Sequence, residues 1–170
     1  MIALVSQHGI PVLVAVVVLA TVGLIGGLMT EVGEWYENLR FPSIRPPNWL
    51  FGPAWTTIYV LIAISSVMAW EGASATLRGP LLALFALNAV LNALWSPLFF
   101  KFRRPDWAFA EIVPFWLSIA AMEAVFYEIR PLAALILSPY LLWVTFASWL
   151  NWRIVELNRP FNGRPGARRS

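Results

Sequence analysis

Residues 10–29 read IPVLVAVVVLATVGLIGGLM, twenty consecutive positions without a charge. A helix needs about 20 apolar residues to cross a hydrocarbon core of about 30 Å, so this stretch is long enough to span a membrane by itself. Four more stretches of the same kind follow, at about residues 49–70, 80–100, 107–127 and 131–152. Only the fourth contains charged side chains, Glu111 and Glu123. The runs are too long for strands and show no two-residue alternation. The fold class is therefore all-α: a polytopic membrane protein with a five-transmembrane-helix bundle. The bundle is expected to form one domain over residues 1–158, with 159–170 a disordered basic tail rich in Gly, Pro and Arg.

Composition agrees. Of 170 residues, 59% are hydrophobic and 12% charged, against about 25% charged in ordinary soluble domains. Mean hydropathy is +0.69. So few charges cannot clothe a water-facing surface, and lipid must cover much of the chain. Cysteine is absent and His8 is the only histidine, which removes thiolate and clustered-histidine metal sites and cysteine nucleophiles; no metal is expected. Lys101 is the only lysine and lies between apolar runs, which leaves no Schiff-base amine inside the bundle. No Lys or Arg precedes the first run, so it is expected to persist as an anchor and not to be cleaved as a signal peptide.

The net charge of +3 and a pI near 9.8 do not point to nucleic acid, because the basic residues sit in short segments between the spans. They report orientation instead. With five crossings, segment 30–48, segment 101–106 and the C-terminal region share one side and hold ten Lys and Arg, while the opposite side holds two. The positive-inside rule puts the C-terminus and the long 30–48 loop in the cytoplasm. That loop carries Pro42, Pro46 and Pro47, which bar a regular helix and stiffen an extended path. The remaining connections are short, so successive helices are expected to pack as antiparallel neighbours.

Ten tryptophans need an explanation. Trp70, Trp107 and Trp152 stand at span ends, where indoles form an interfacial belt. Trp55, Trp95 and Trp143 lie deeper, roughly 8–14 Å below the cytoplasmic end at 1.5 Å per residue. Asn88, Asn92, Trp95 and Phe99 follow 4-3-4 spacing and share one helix face, which should turn inward because unbonded amides are costly in hydrocarbon. Trp55, Tyr59 and Ser66 mark a comparable stripe on the second span, and Tyr140, Trp143, Ala147 and Asn151 one on the fifth. Two readings fit these stripes: interhelical glue, or a pocket for a flat, largely apolar ligand with a few polar groups. Gly23 and Gly27 on the first span, and Gly79 with Ala83 on the third, have the spacing of helix-packing motifs, within one bundle or between copies. Glu111 and Glu123 stand near span ends, where their carboxyls are expected to snorkel to the interface.

The run Trp35-Tyr36-Glu37-Asn38-Leu39-Arg40-Phe41-Pro42-Ser43-Ile44-Arg45-Pro46-Pro47, continued through Phe51, Pro53, Trp55 and Tyr59, resembles the signature of the TspO/translocator-protein family. Two further blocks resemble it in order: residues 92–100 (NALWSPLFF), and Pro139-Tyr140-Leu141-Leu142-Trp143 through Phe146, Ala147, Leu150 and Asn151. The resemblance covers about residues 20–158. Ile44 departs from it, where the family usually has Trp. So do Trp152 and Glu156, which replace the Tyr and Arg of the sterol motif in animal members, so tight sterol binding is not expected.

The resemblance implies a bacterial cell-membrane protein, often a homodimer, that serves as a receptor or regulator for tetrapyrroles (protoporphyrin IX, haem) and other hydrophobic small molecules. No cofactor is required. The matching positions imply that Tyr36, Trp55, Asn88, Asn92, Trp95, Trp143 and Ala147 line the ligand pocket. Two alternatives stay open: a porphyrin transporter, and an enzyme that degrades porphyrin in light using Trp55 and Trp143. No other catalytic residue is expected.

Overall fold

The computed structural model describes residues 2–161, with side chains described from Gly9 onward. The expected basic tail thus lies, beyond residue 161, outside the described residues. The elements are α1 (Ile2–Met29), a single turn α2 (Glu34–Glu37), α3 (Asn48–Gly72), α4 (Ala75–Ser96), a π-helical turn (Pro97–Lys101), α5 (Pro105–Ile129) and α6 (Pro131–Asn158). Among the described residues there is no strand. Five helices are long and apolar enough to cross a membrane, with α4 and the π turn forming one span. The chain is an integral membrane protein of five spanning-type helices.

The helices overrun the apolar stretches at several ends. α4 begins at Ala75 and α6 continues to Asn158, through Arg153 and Glu156. Helices project past the hydrocarbon into the polar interface, where hydropathy no longer marks them. Pro53, Pro80, Pro114 and Pro139 lie inside helices, as spanning helices tolerate when neighbours re-satisfy the freed backbone groups. Pro97 opens the π turn. The Phe102 amide donates back to the Pro97 carbonyl at 2.9 Å, and the widened turn lets the consecutive residues Phe99 and Phe100 both point inward and be buried. The three prolines of the long loop have the expected effect: the one helical turn there precedes them, and none is found from Asn38 to Pro47.

In cross-section the helices follow the order α1, α3, α6, α5, α4, and α4 returns to α1. This corrects one expectation. α4–α5 and α5–α6 pack as antiparallel neighbours, but α3 and α4, joined through Ala73 and Ser74 alone, meet only marginally because α1 packs against both. Close approach explains the insertion. Gly23 of α1 lies against the Tyr59 ring of α3, where a Cβ would come within 3.2 Å, and Gly26 faces Ser96 of α4. Gly23 thus serves packing within the bundle, whereas Gly27 faces open space. α1 is otherwise peripheral: Val12, Leu13, Val16, Val17, Leu24 and Leu28 are exposed, as lipid-facing residues should be.

The segments between α1 and α3 and between α4 and α5 lie at one end with the C-terminal end of α6. Asn158 accepts from the Arg40 amide and donates to the Arg40 carbonyl, each at 2.8 Å. The Arg103 guanidinium stands 5.8 Å from the Trp35 ring centre. The ends that carry most of the basic residues are therefore one face of the molecule.

Candidate functional site

The predicted inward faces do turn inward. Asn88 and Asn92 are 5% and 8% exposed, and each finds partners on other helices. Asn88 donates to Ser118 Oγ of α5 at 2.9 Å and accepts from the Tyr140 hydroxyl of α6 at 3.2 Å. Asn92 donates to the same Tyr140 oxygen at 2.9 Å and accepts from Tyr59 of α3 at 3.4 Å. Ser118 closes the chain on the Phe115 carbonyl at 2.7 Å. Four helices are thereby joined by one run of amides and hydroxyls, because each of these groups costs free energy in hydrocarbon unless bonded.

A second polar layer lies nearer the loop-bearing end. The Trp95 indole N–H donates to Asn151 Oδ1 at 3.1 Å, and Asn151 Nδ2 donates to the Pro105 carbonyl at 2.8 Å. That carbonyl belongs to the first turn of α5, so Asn151 ties α4 and α6 to the start of α5.

Aromatic rings occupy the slab between the two layers. Trp55 lies against Tyr59 at 5.5 Å and edge-on to Tyr140 at 6.3 Å. Trp143 meets Phe51 edge-on at 5.8 Å, and its indole nitrogen is buried with no hydrogen-bond partner among the described residues. Ala147, one turn along from Trp143, packs against the same core. Trp95 stacks on Phe99 at 5.1 Å, interplanar angle 27°. Trp55, Trp95, Trp143 and Ala147 are each half-buried and pack against the core. Two grooves of about 270 and 280 Å³ lie elsewhere, one on the outside of α5 and α6 beside Trp116 and Thr145, the other between α1 and α4. Neither contains any of the seven predicted residues.

The structure brings Trp55, Asn88, Asn92, Trp95, Trp143 and Ala147 into one continuous core. Tyr36 lies apart from Trp55 and Trp143. It is buried in a satellite cluster with Phe99 and Phe100, which Trp95 links to the main core. Its ring meets Phe41 at 5.0 Å and Phe100 at 5.5 Å. Arg45 covers this cluster, 3.6 Å from the Phe41 ring centre, and donates to Asn48 Oδ1 at 2.8 Å. Burial holds the Tyr36 phenol above its usual pKa, and the Arg45 guanidinium draws it partly back.

Three residues at the centre escaped the site prediction. Tyr140, fully buried, is the junction of the inner network, and Ser118 is its terminus on α5. The third is Glu111, which does not snorkel: it is 8% exposed, and both carboxyl oxygens are buried without a partner among the described residues. Glu123 behaves differently, since one of its oxygens accepts from Ser138. A phase argument was available for Glu111, because it stands four residues before Phe115 and seven before Ser118, on the inward stripe of α5. Among the described residues no group of three or more His, Asp or Glu side chains converges to hold a metal ion.

The sequence matches known proteins over most of its length. The family model described as TspO/MBR family matches residues 14–157. The chain is 38% identical over 136 residues to Protein CrtK of Rhodobacter capsulatus, covering 78% of this chain and 83% of that protein. It is 39% identical over 139 residues to the Translocator protein of Sus scrofa, 80% of each. To the Tryptophan-rich protein TspO of Archaeoglobus fulgidus it is 38% identical over 147 residues, 85% of this chain and 94% of that one. Nearly the whole described bundle is covered by these matches, and the chain belongs to the TspO/MBR family.

Proposed function

We propose that the slab between the two polar layers binds a flat tetrapyrrole, protoporphyrin IX or haem, and that the protein acts as a membrane receptor or regulator for such ligands. The observation that carries this reading is the placement of Trp55, Trp95 and Trp143, from three helices, around bonded amides inside an otherwise apolar bundle. Indole faces and edges suit a planar conjugated ring, and a few fixed polar groups orient it. A relative named tryptophan-rich sensory protein, from Cereibacter sphaeroides, is 36% identical over 144 residues, which is consistent with a sensing role.

The unpartnered Trp143 indole identifies the side chain whose loss binding should register. Trp143→Ala is expected to weaken protoporphyrin binding by about 1–2 kcal/mol, the scale of a lost aromatic contact and its apolar area. Titration of the purified variant, followed by the porphyrin absorption band, checks this; unchanged affinity would place the ligand elsewhere.

Its excess of Lys and Arg supports a cytoplasmic position for the basic face that joins segment 30–47 to the end of α6. A reporter active only in the cytoplasm, fused after Asn158, is therefore expected to be active, and the same reporter placed after Ser74 to be silent. The opposite pattern would invert the topology.

A further inference from the structure

Two helices long enough to cross a membrane, Ala75–Lys101 and Pro105–Ile129, are joined by Phe102, Arg103 and Arg104 alone. The first of them, 27 residues, is roughly 40 Å long at 1.5 Å per residue, which matches a bilayer with its headgroups and exceeds the hydrocarbon alone. The turn 101–104 therefore sits at headgroup depth.

The cations of this turn are unequally committed. Arg104 is taken up within the protein: its guanidinium donates to both carboxyl oxygens of Asp106, at 2.7 and 2.5 Å, and lies 4.2 Å from the Trp107 ring centre. Lys101 and Arg103 are exposed, and among the described residues neither forms an ion pair. Glu34 and Glu37 of α2 flank Trp35, yet they leave Arg103 unpaired although its guanidinium stands 5.8 Å from that ring centre. Arg103 has a φ of 53°, the left-handed region that a side chain with a Cβ adopts only at a cost. The Phe102 amide bonded to the Pro97 carbonyl and the Arg104 amide bonded to that of Leu98, at 2.9 and 3.1 Å, hold the chain on either side of it. Strain of this kind persists where the arrangement is used. Between the two bare cations stands Phe102, 60% exposed, and Trp107 beyond them is 49% exposed.

Cations and apolar rings thus alternate at the depth where a phosphate ester joins its acyl chains. Lys101 and Arg103 are two residues apart, so their Cα atoms are separated by ~7.6 Å at most, and both heads can meet one phosphate. The ammonium supplies a compact charge and the guanidinium paired donors. A zwitterionic headgroup brings its own cation to the phosphate, so two bare cations favour a headgroup of net negative charge. A soluble anion would leave the exposed rings without a partner. We propose that the 101–104 turn is a binding site for an anionic phospholipid, with its phosphate held by Lys101 and Arg103 and the upper part of its acyl chains against Phe102 and Trp107. The site is separate from the tetrapyrrole slab. It adjoins the satellite cluster, because Trp35, beside Arg103, meets Phe99 edge-on at 6.1 Å.

The test uses the full chain in dodecyl maltoside micelles, titrated with phosphatidylglycerol or phosphatidylcholine carrying the same dansyl group on one acyl chain. Energy transfer from tryptophan to dansyl reads the binding. Wild type is expected to bind phosphatidylglycerol about tenfold more tightly than phosphatidylcholine, the scale of two basic residues near a charged surface after partial screening. Lys101→Gln/Arg103→Gln is expected to bring that ratio near one, and Lys101→Arg/Arg103→Lys, which keeps both charges, to preserve most of it. Arg40→Gln/Arg159→Gln removes two charges from the same face outside the turn and is expected to leave the ratio nearly unchanged. Lys101 and Arg103 are exposed and unpaired, so the Gln pair is expected to fold; should it not, Lys101→Gln alone is expected to lower the ratio about threefold. Millimolar inorganic phosphate, compared with chloride at equal ionic strength, is expected not to displace the labelled phosphatidylglycerol. A ratio near one in wild type, or an unchanged ratio in the Gln variants of the turn, would overturn the proposal. So would an equal loss in Arg40→Gln/Arg159→Gln, by showing that only the summed charge of the face attracts the lipid. Displacement by inorganic phosphate would also overturn it, because the turn would then take a free anion.

Discussion

Replacing Tyr140 by Ala is expected to cost the bundle about 3–5 kcal/mol, the range for truncating a large buried aromatic side chain. Tyr140 is completely buried, and its ring touches Trp55 of α3 and Phe115 of α5, at 6.3 and 6.0 Å. Truncation opens a cavity at the contact of three helices. It also leaves the Asn92 amide without its acceptor and one side of Asn88 without a donor. Tyr140→Phe separates the two contributions. It keeps the ring and loses only the hydroxyl, for which interhelical bonds in membranes suggest about 0.6–1.7 kcal/mol. Reversible unfolding in mixed micelles, followed by loss of tryptophan fluorescence anisotropy, measures both. Equal costs for Ala and Phe would mean that the hydroxyl network, not packing, holds the centre.

Asn151→Ala is the second large effect, expected at about 2 kcal/mol because one buried side chain satisfies the Trp95 indole N–H and braces the first turn of α5. Asn151 is 1% exposed and bridges the Trp95 indole N–H to the Pro105 carbonyl. Its removal frees α4 and α6 from the start of α5, and the Trp95 ring loses its fixed orientation. The same unfolding assay is expected to show the loss, together with a red shift of tryptophan emission as water reaches the indole. Asn151→Asp retains the acceptor for Trp95 but not the donor to Pro105, so it should restore the emission maximum without restoring stability. An Asn151→Ala protein as stable as wild type would show that the second layer is incidental to the fold.

The five spans were legible because the membrane converts length and apolarity directly into a crossing. Their polar ends were not, and α6 runs past Trp152 to Asn158 where no hydropathy signal remains. The inward faces of α3, α4 and α6 could be read from spacing, since amides and phenols in hydrocarbon must turn toward partners. Which partners they find could not. Asn88 and Asn92 converge on a single tyrosine of α6, and that depends on the order of helices around the ring. In lipid, tails are as apolar as the side chains facing them, so hydropathy does not order helices; small residues and hydrogen bonds do. The position of α1 against both α3 and α4 follows from Gly23 meeting Tyr59 and Gly26 meeting Ser96, pairings that no single-helix pattern contains. Glu111 was misread for a related reason. Nearness to a span end suggested escape to the interface, but its rotation about the helix axis places it on the buried stripe.

The resemblance of residues 35–59 to a family signature supplied Tyr36 as a pocket residue, and the structure shows how its surroundings are built. Tyr36 sits under Arg45 with Phe41, Phe99 and Phe100, and Asn158 fastens the same segment to α6. Trp95 connects this satellite cluster to the slab through its stack on Phe99. In the proposed function, Tyr36 reaches the ligand through that stack.

The central claim is that the slab bounded by Trp55, Trp95 and Trp143 binds a tetrapyrrole, and its most direct test is intrinsic tryptophan quenching by protoporphyrin IX in nanodiscs. Wild type is compared with Trp55→Phe/Trp143→Phe and with the Ala pair at the same positions. Wild-type fluorescence is expected to fall saturably with one binding isotherm. The Phe pair should bind more weakly, and the Ala pair should lose the saturable component while remaining folded by circular dichroism. A saturable isotherm of unchanged midpoint in the Ala pair would contradict the account, because the porphyrin would then be bound outside the slab.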